Sequence, residues 1–365
     1  MKTRAALFHE AGQPLVVREV DLAEPQAGEV LVRVAAAGVC HSDLHYLKGE
    51  WSGPRPMVLG HEGAGVVERV GPGVTRVRPG DHCVLIFRGN CGACYYCTIG
   101  RPALCAGRVS PPGTLFDGTT RLSLDGQPIY HMARVACFAE HAVLAEEMLL
   151  PIPEAIPLDR AALVGCAVMT GVGAAMNTAR VEPGSTVVVI GCGGVGLNVV
   201  QGARMLNAGR IIAVDLLDNK LDYALAFGAT HAINAHEEEP VARVRELTGG
   251  GADYAFDAIG SARTVQQAFE MVRAGGTAVV VGVAPQGQLA QIDAYAIAMQ
   301  EKTLKGCFYG SARPRVDMLR LLDLYQQRRL KLDELISRRY TLDQINEGFA
   351  LLQGGAVARG VIVMH

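Results

Sequence analysis

The chain has 365 residues, half of them apolar, with a formal charge of −2 and a sequence pI near 6.6. That length accommodates two domains with substantial cores. The lack of basic excess and the 5% aromatic content argue against tracking a phosphate backbone or stacking bases, so no nucleic-acid partner is expected.

At the N-terminus Lys2 and Arg4 are followed by Glu10, Gly12 and Pro14 instead of an apolar run, so no signal peptide is read. The most apolar stretch, 161–176, is short for a bilayer and interrupted by Gly165, Thr170, Gly171 and Gly173, which reads as buried interior with no membrane partner. Ten cysteines in a long chain without a secretory signal point to metal binding in a reducing compartment, hence a cytoplasmic protein.

Residues 1–165 carry short β-like runs broken by Gly and Pro, as at 29–34, 65–70 and 82–86, the pattern of a mostly β domain. Within it stand Cys40, in Gly38-Val-Cys-His-Ser-Asp43, and His61 with Glu62, in Gly60-His-Glu-Gly63. Cys166 follows in the apolar run Val164-Gly-Cys-Ala-Val-Met-Thr-Gly171. Two thiolates, an imidazole and an open fourth position suit a catalytic zinc, but taken singly Cys166 in an apolar run is more often a small core residue and His61 more often a hydrogen-bonded structural histidine.

Cys91, Cys94, Cys97 and Cys105 form a tighter C-x2-C-x2-C-x7-C cluster in a loop with Gly and Pro. Four such thiolates can close a tetrahedral shell around zinc with no open position, and an iron–sulfur cluster would accept the same set. The spacing favours a metal over four unrelated core cysteines, and zinc over iron. Residues 106–140, of mixed polarity and no strong period, read as an extended loop with a small hairpin.

From about residue 180 apolar strands alternate with helix-length segments, at 186–190, 195–206, 210–214, 219–227, 254–257, 264–271 and 277–283. Such alternation implies a doubly wound parallel sheet. The helix-like run 316–326 and the β-like tail 360–364 are too short for a further domain and return to the first. The strand 186–190 enters Gly191-Cys-Gly-Gly-Val-Gly196, in which Gly191, Gly193 and Gly196, with Gly194 between them, fit G-x-G-x-x-G and let a helix N-terminus approach a pyrophosphate.

Asp215 ends the next strand about 20 residues beyond the glycines, where a carboxylate can accept from both ribose hydroxyls. A 2′-phosphate there would meet like charge, which favours NAD over NADP. The competing reading is a cap on the next helix, a role open to Asp218 as well. Lys220 either adds a contact near the ribose or is an ordinary solvated lysine.

In this order and across nearly the whole chain, the constellations resemble the zinc-containing medium-chain alcohol dehydrogenases. The resemblance implies an α/β protein with a GroES-like β-rich catalytic domain at 1–167 with 309–365. A Rossmann NAD-binding domain, a doubly wound parallel sheet, would occupy 168–308, with the active site between the two. Two Zn2+ per chain are implied, a catalytic ion on Cys40, His61 and Cys166 and a structural ion on the four clustered cysteines, with Glu62 as an outer or alternate carboxylate ligand. Ser42 and His45 match the family's proton relay, which runs from the bound alcohol through the Ser42 hydroxyl and the nicotinamide ribose to His45. Ser42 as a cap on a helix beginning near Asp43 is the simpler alternative.

His41 and Arg359 match positions that face the cofactor phosphates, and Thr170, Val195 and Val283 match residues flanking the nicotinamide. Trp51, Phe87 and Phe308 match positions lining an apolar alcohol pocket. The implied activity is reversible oxidation of a hydrophobic primary alcohol, aromatic or allylic, to the aldehyde, by hydride transfer from a zinc-bound alkoxide to NAD. The alternatives are a thiol-adduct-dependent formaldehyde dehydrogenase, a zinc polyol dehydrogenase, and a non-catalytic dinucleotide-binding relative. A homodimer is the implied assembly.

Overall fold

In the computed structural model, which describes residues 1–364, the chain forms two units. One comprises Met1–Cys166, Arg313–Arg328 and the chain from Leu332 on; the other comprises Ala167–Ala312 with Arg329–Lys331. The exit from the second unit lies after Ala312, later than the sequence reading placed it. The Tyr309–Ser311 turn stays with that unit because the Gly310 carbonyl accepts from the Asn177 amide at 3.1 Å.

In the first unit, short β-branched runs pair into two sheets. Lys2–Phe8, Val16–Leu22, Leu122–Leu124, Gln127–His131 and Met57–Val58 close into a barrel. A seven-stranded sheet orders Leu149–Pro151, His82–Leu85, Gly63–Val70, Glu29–Val39, Arg359–Val363 and Ile336–Tyr340, with His141–Ala145 also pairing Glu29–Val39. Leu7, Leu31, Val32, Leu59, Leu85 and Phe138 from these strands and their connections share one buried cluster with Ile345 and Phe349 of the Ile345–Gln353 helix and its start. The C-terminal tail is a strand inside the sheet of this unit.

The hairpin expected within 106–140 is Leu122–Leu124 paired with Gln127–His131. Its base is fixed by buried Arg121, whose Nε and Nη2 donate to the two Glu29 carboxylate oxygens at 2.8 and 2.7 Å. Next to it His131 is 1% exposed, and its Nε2 accepts from the Arg121 backbone amide at 3.1 Å. Burial, helped by the Arg121 charge, pushes this imidazole down to about 4. The folded state thus holds His131 neutral while the unfolded chain protonates it near 6.5, so stability is intact above that pH and is lost as pH falls toward 4. One such group is worth about 2.5 kcal/mol between pH of about 7 and about 4.5. Urea unfolding of His131→Gln at these two pH values should show that much less acid loss than the wild type; an identical loss in both would assign it elsewhere.

The second unit is a six-stranded parallel sheet in the order His231–Asn234, Arg210–Asp215, Thr186–Ile190, Ala252–Asp257, Val272–Val280, Thr303–Gly306. This is the 3-2-1-4-5-6 order of a Rossmann fold. Its helices Gly194–Met205, Asp218–Phe227 and Ala262–Met271 start within a residue or two of the positions read from apolar periodicity. The strands His231–Asn234 and Thr303–Gly306 were not read from sequence, because both lie at the sheet's edges and are short and half polar.

The apolar stretch around 161–176 is part of a helical run Leu158–Ala179, long and apolar enough by composition to cross a membrane. Its apolar window is 78% buried inside the protein, so those side chains serve the core. A π-helical turn, Val164–Val168, interrupts it and carries Cys166, and such turns recur at functional sites.

Candidate active site and metal centres

Strand register brings the dispersed ligands together. Ala37 pairs Gly63 and Val39 pairs Gly360, so the ends of three neighbouring strands place Cys40, His61 with Glu62, and Arg359 at one edge of the sheet. The approach is close: a Cβ on Gly38 would lie 2.6 Å from the Glu62 carboxyl carbon, so a side chain there would displace the Glu62 carboxylate. Cys166 completes the group, and the ligand atoms of Cys40, His61 and Cys166 all lie within 4.8 Å of one another in a buried environment.

The His61 ring distinguishes this group, as a candidate metal site, from a packed trio. Its Nδ1 faces the Asp43 carboxylate at 3.3 Å, while its Nε2 is buried with no hydrogen-bond partner in the described residues. A buried imidazole nitrogen left alone is destabilising unless a cation takes it, and with two sulfurs alongside it the donor set suits zinc with a fourth position open. Sharing a proton with Cys166, aided by the Arg359 and His61 charges, holds the Cys40 thiol well below its ordinary range in spite of burial. The same sharing pushes Cys166 up, so zinc loading would displace that last proton.

Asp43 is the residue that sequence reading missed. It is fully buried, and its Oδ1 accepts from the Gly60 amide at 2.9 Å while its Oδ2 accepts from the Cys40 amide at 3.2 Å. One carboxylate therefore ties two ligand-bearing segments together and orients the His61 ring, as outer partners of metal-binding histidines do. The available signal was its place three residues after Cys40 at a helix start.

Glu62 is also fully buried, with Oε2 paired to the Arg359 guanidinium and Oε1 unpartnered. Burial raises its carboxyl to about 7 against the opposing pull of Arg359. Arg359 is 2% exposed, which rules out an ordinary surface arginine; its observed partner is Glu62. Phe87 stands edge-on to His61, with ring centroids 5.4 Å apart.

The helix His41–Leu47 begins at His41 with Cys40 as its N-cap, so Ser42 lies inside it and does not cap it. His41 is exposed and Ser42 half-buried. His45 contacts Glu50 through Nδ1 and stacks on Trp51, ring centroids 4.6 Å apart. Trp51 thus packs on His45, whereas Phe308 belongs to the second unit and is 45% exposed.

In the cysteine lobe the sulfurs of Cys91, Cys94, Cys97 and Cys105 all lie within 4.8 Å of one another, and among the described residues all ten cysteines are free thiols. The Cys91 sulfur accepts from the Ala93 and Cys94 amides at 3.4 and 3.3 Å, and these bonds lower its thiol. Backbone amides likewise bring Cys94 down to about 6. Amides aimed at sulfur favour thiolate, the ligand form.

In the second unit, Gly191 turns with φ +92°, and a Cβ on Gly196 would lie 1.8 Å from the Gly191 carbonyl oxygen, so the turn tolerates no side chain there. The 12-residue helix Gly194–Met205 starts from Gly193, whose missing Cβ faces open space, a cradle for a pyrophosphate at the helix N-terminus. Asp215 Oδ2 accepts from the Cys192 amide at 2.7 Å and Oδ1 from the Leu216 and Leu217 amides at 2.8 and 3.2 Å. It braces the glycine turn as well as the chain entering the next helix. Asp218 instead accepts from Asn234, and Lys220 is buried, not solvated. Thr170 and Val195 are half-buried, and Val283 is 49% exposed.

Residues 26–154 match the alcohol dehydrogenase GroES-like domain, and residues 194–327 match the zinc-binding dehydrogenase domain. The chain is 44% identical to an NDMA-dependent alcohol dehydrogenase of Amycolatopsis methanolica, over 100% of this chain and 99% of that one. It is 41% identical to an S-(hydroxymethyl)glutathione dehydrogenase of Paracoccus denitrificans, with 100% of both chains covered. Among solved structures, benzyl alcohol dehydrogenase from Acinetobacter calcoaceticus superposes with a TM-score of 0.94 at 33% identity, again over 100% of both chains.

Proposed function

Because this chain belongs to the zinc-containing medium-chain alcohol dehydrogenases, we propose that it oxidises a hydrophobic primary alcohol to the aldehyde, reversibly, with NAD as the hydride acceptor. The observation that carries the reading is the buried Cys40, His61 and Cys166 group with its unpartnered imidazole nitrogen. When bound, zinc there supplies the Lewis acidity that makes a hydroxyl proton labile, and NAD supplies the two-electron acceptor.

The chain's own residues do the rest. Asp43 orients His61, Glu62 and Arg359 set the charge behind the ligands, and Phe87 offers an apolar ring beside them. Ser42 hands the hydroxyl proton on toward His45, whose imidazole has one ring nitrogen free to accept and pass on a proton. Gly193 and the helix N-terminus after it receive the pyrophosphate, and the Asp215 oxygens retain acceptor capacity for ribose hydroxyls beyond their backbone bonds.

The test is zinc quantification by mass spectrometry together with the absorbance of reduced nicotinamide, across aliphatic, benzylic and allylic alcohols with NAD or NADP. The panel is repeated with NDMA, for which the Amycolatopsis relative is named, and with the glutathione adduct of formaldehyde. Two zinc ions per chain and NAD-dependent turnover of an apolar alcohol are expected. A zinc-loaded chain that turns over the thiol adduct alone would replace the substrate reading.

We further propose a cytoplasmic homodimer. Ten free cysteines fit a reducing compartment. The edge strand Thr303–Gly306 is open, and around it in sequence Leu289, Tyr295, Ile297, Met299 and Leu304 are 39–87% exposed, an apolar stretch suited to a second copy. Sedimentation should give a dimer for the wild type and a monomer for Met299→Glu/Leu304→Lys; a dimer in both would place the interface elsewhere.

A further inference from the structure

The helix carrying His45 is followed by a tight reversal. Gly49 adopts φ +75°, and the Glu50 and Trp51 amides both donate back to the His45 carbonyl, at 2.9 and 3.2 Å. The reversal brings the Glu50 carboxylate onto His45 Nδ1 and lays Trp51 flat over the ring, interplanar angle 21°. Trp51 is itself held edge-on by Tyr46 at 5.7 Å. The side chains of His45 and Glu50 are 18% and 33% exposed, so the contact is partly shielded from water.

Two other carboxylates of this helix and of the helix packed on it are engaged elsewhere, and His9 and Glu10 are exposed on the segment bonded to the helix end through Gly12 and Leu47. Asp43, on the same helix, faces His61, Gly60 and Cys40. Glu347, on the packed Ile345–Gln353 helix, pairs with Arg338, and Lys48 is exposed at the helix end.

A carboxylate can only accept, so contact at Nδ1 requires the proton on that nitrogen. We propose that Glu50 is a positioning residue for the proton relay: it holds His45 in the Nδ1–H tautomer and leaves Nε2 as the atom that takes the proton. The inference rests on the alcohol dehydrogenase reading above. Oxidation of one alcohol sends a hydride, with both electrons, to the dinucleotide and releases one proton. That proton arrives by way of Ser42 at Nε2, makes the ring doubly protonated, and leaves from the same nitrogen to water. Glu50 stabilises the cation but never takes the proton, the division of labour seen wherever a carboxylate orients a catalytic imidazole.

The experiment uses the zinc-loaded full chain with 15N-labelled histidine, the His45 signals being assigned by their loss in His45→Gln. Wild type should show the Nδ1–H tautomer in the neutral ring, and Glu50→Ala should revert toward Nε2–H, the form favoured by free imidazole side chains. Glu50→Gln, which still presents a carbonyl acceptor, should restore the wild-type pattern. In parallel, kcat should fall about tenfold in Glu50→Ala with KM for the alcohol little changed, and recover in Glu50→Gln.

An unchanged tautomer in Glu50→Ala overturns the proposal, and so does a changed tautomer with unchanged kcat. If the wild type oxidises no alcohol, it is the functional reading that fails, and the nitrogen spectra alone then decide whether Glu50 holds the ring.

Discussion

Cys40→Ser should bind one zinc ion per chain in place of two and oxidise alcohol at least about 10⁴-fold more slowly, about 5.5 kcal/mol of lost transition-state stabilisation. A serine hydroxyl keeps its proton at neutral pH and is a poor zinc ligand, whereas Cys40 is inclined toward thiolate by Cys166, Arg359 and His61. The substitution removes one sulfur and preserves the helix start, because the Cys40 backbone amide still donates to Asp43 and a serine oxygen can replace the sulfur as acceptor of the Asp43 amide in the capping box. Thermal unfolding and NAD binding measured by calorimetry should therefore match the wild type, which separates loss of the ion from loss of the fold. A variant with one zinc and full turnover would show that the Cys40, His61 and Cys166 group is not where the chemistry occurs.

The opposite pattern is expected for Cys94→Ser. The Cys94 sulfur lies 3.6 Å from that of Cys97 and 3.8 Å from that of Cys105, at the centre of the four-cysteine group. The lobe has little core of its own: Tyr95 is 71% and Ile99 48% exposed, and the helix Tyr95–Thr98 buries none of its residues. A bound ion is therefore the expected source of its order, and zinc binding to small cysteine sites is worth about 10–16 kcal/mol at neutral pH. Loss of one zinc should open the lobe and raise the rate of proteolytic cleavage within 88–112 by at least about 100-fold. The barrel and the six-stranded sheet should keep their protection against hydrogen exchange. Mild chelation of the wild type should reproduce the same cut. Cleavage at the wild-type rate in a lobe that has lost its zinc would mean that packing, and not the metal, holds it.

The contrast between the two cysteine groups shows what each kind of information carries. The lobe's ligands are near neighbours in the chain, so spacing alone exposed them. Cys40 and His61 are separated by a strand connection, and Cys166 lies far downstream, so each resembled an ordinary core residue until the family resemblance joined them. The glycine turn and Asp215 were likewise legible because a strand, a turn and a helix in succession are local. The edge strands of the same sheet were not, since a short half-polar strand is stabilised by its neighbour and not by its own pattern.

By itself, then, the sequence determined what depends on local order. That comprises the four-cysteine lobe, the alternation that makes a parallel sheet, the G-x-G-x-x-G turn, and the family to which the chain belongs. Tertiary structure alone decided which side chains meet across long separations. Pairing of Ala37 with Gly63 and of Val39 with Gly360 put Glu62 against Arg359 and let Asp43 brace His61 and Cys40 together. The physical reason is strand register: a shift of one residue would turn each of these side chains to the other face of the sheet, and register is set by the packing of the whole unit, which no short stretch of sequence records.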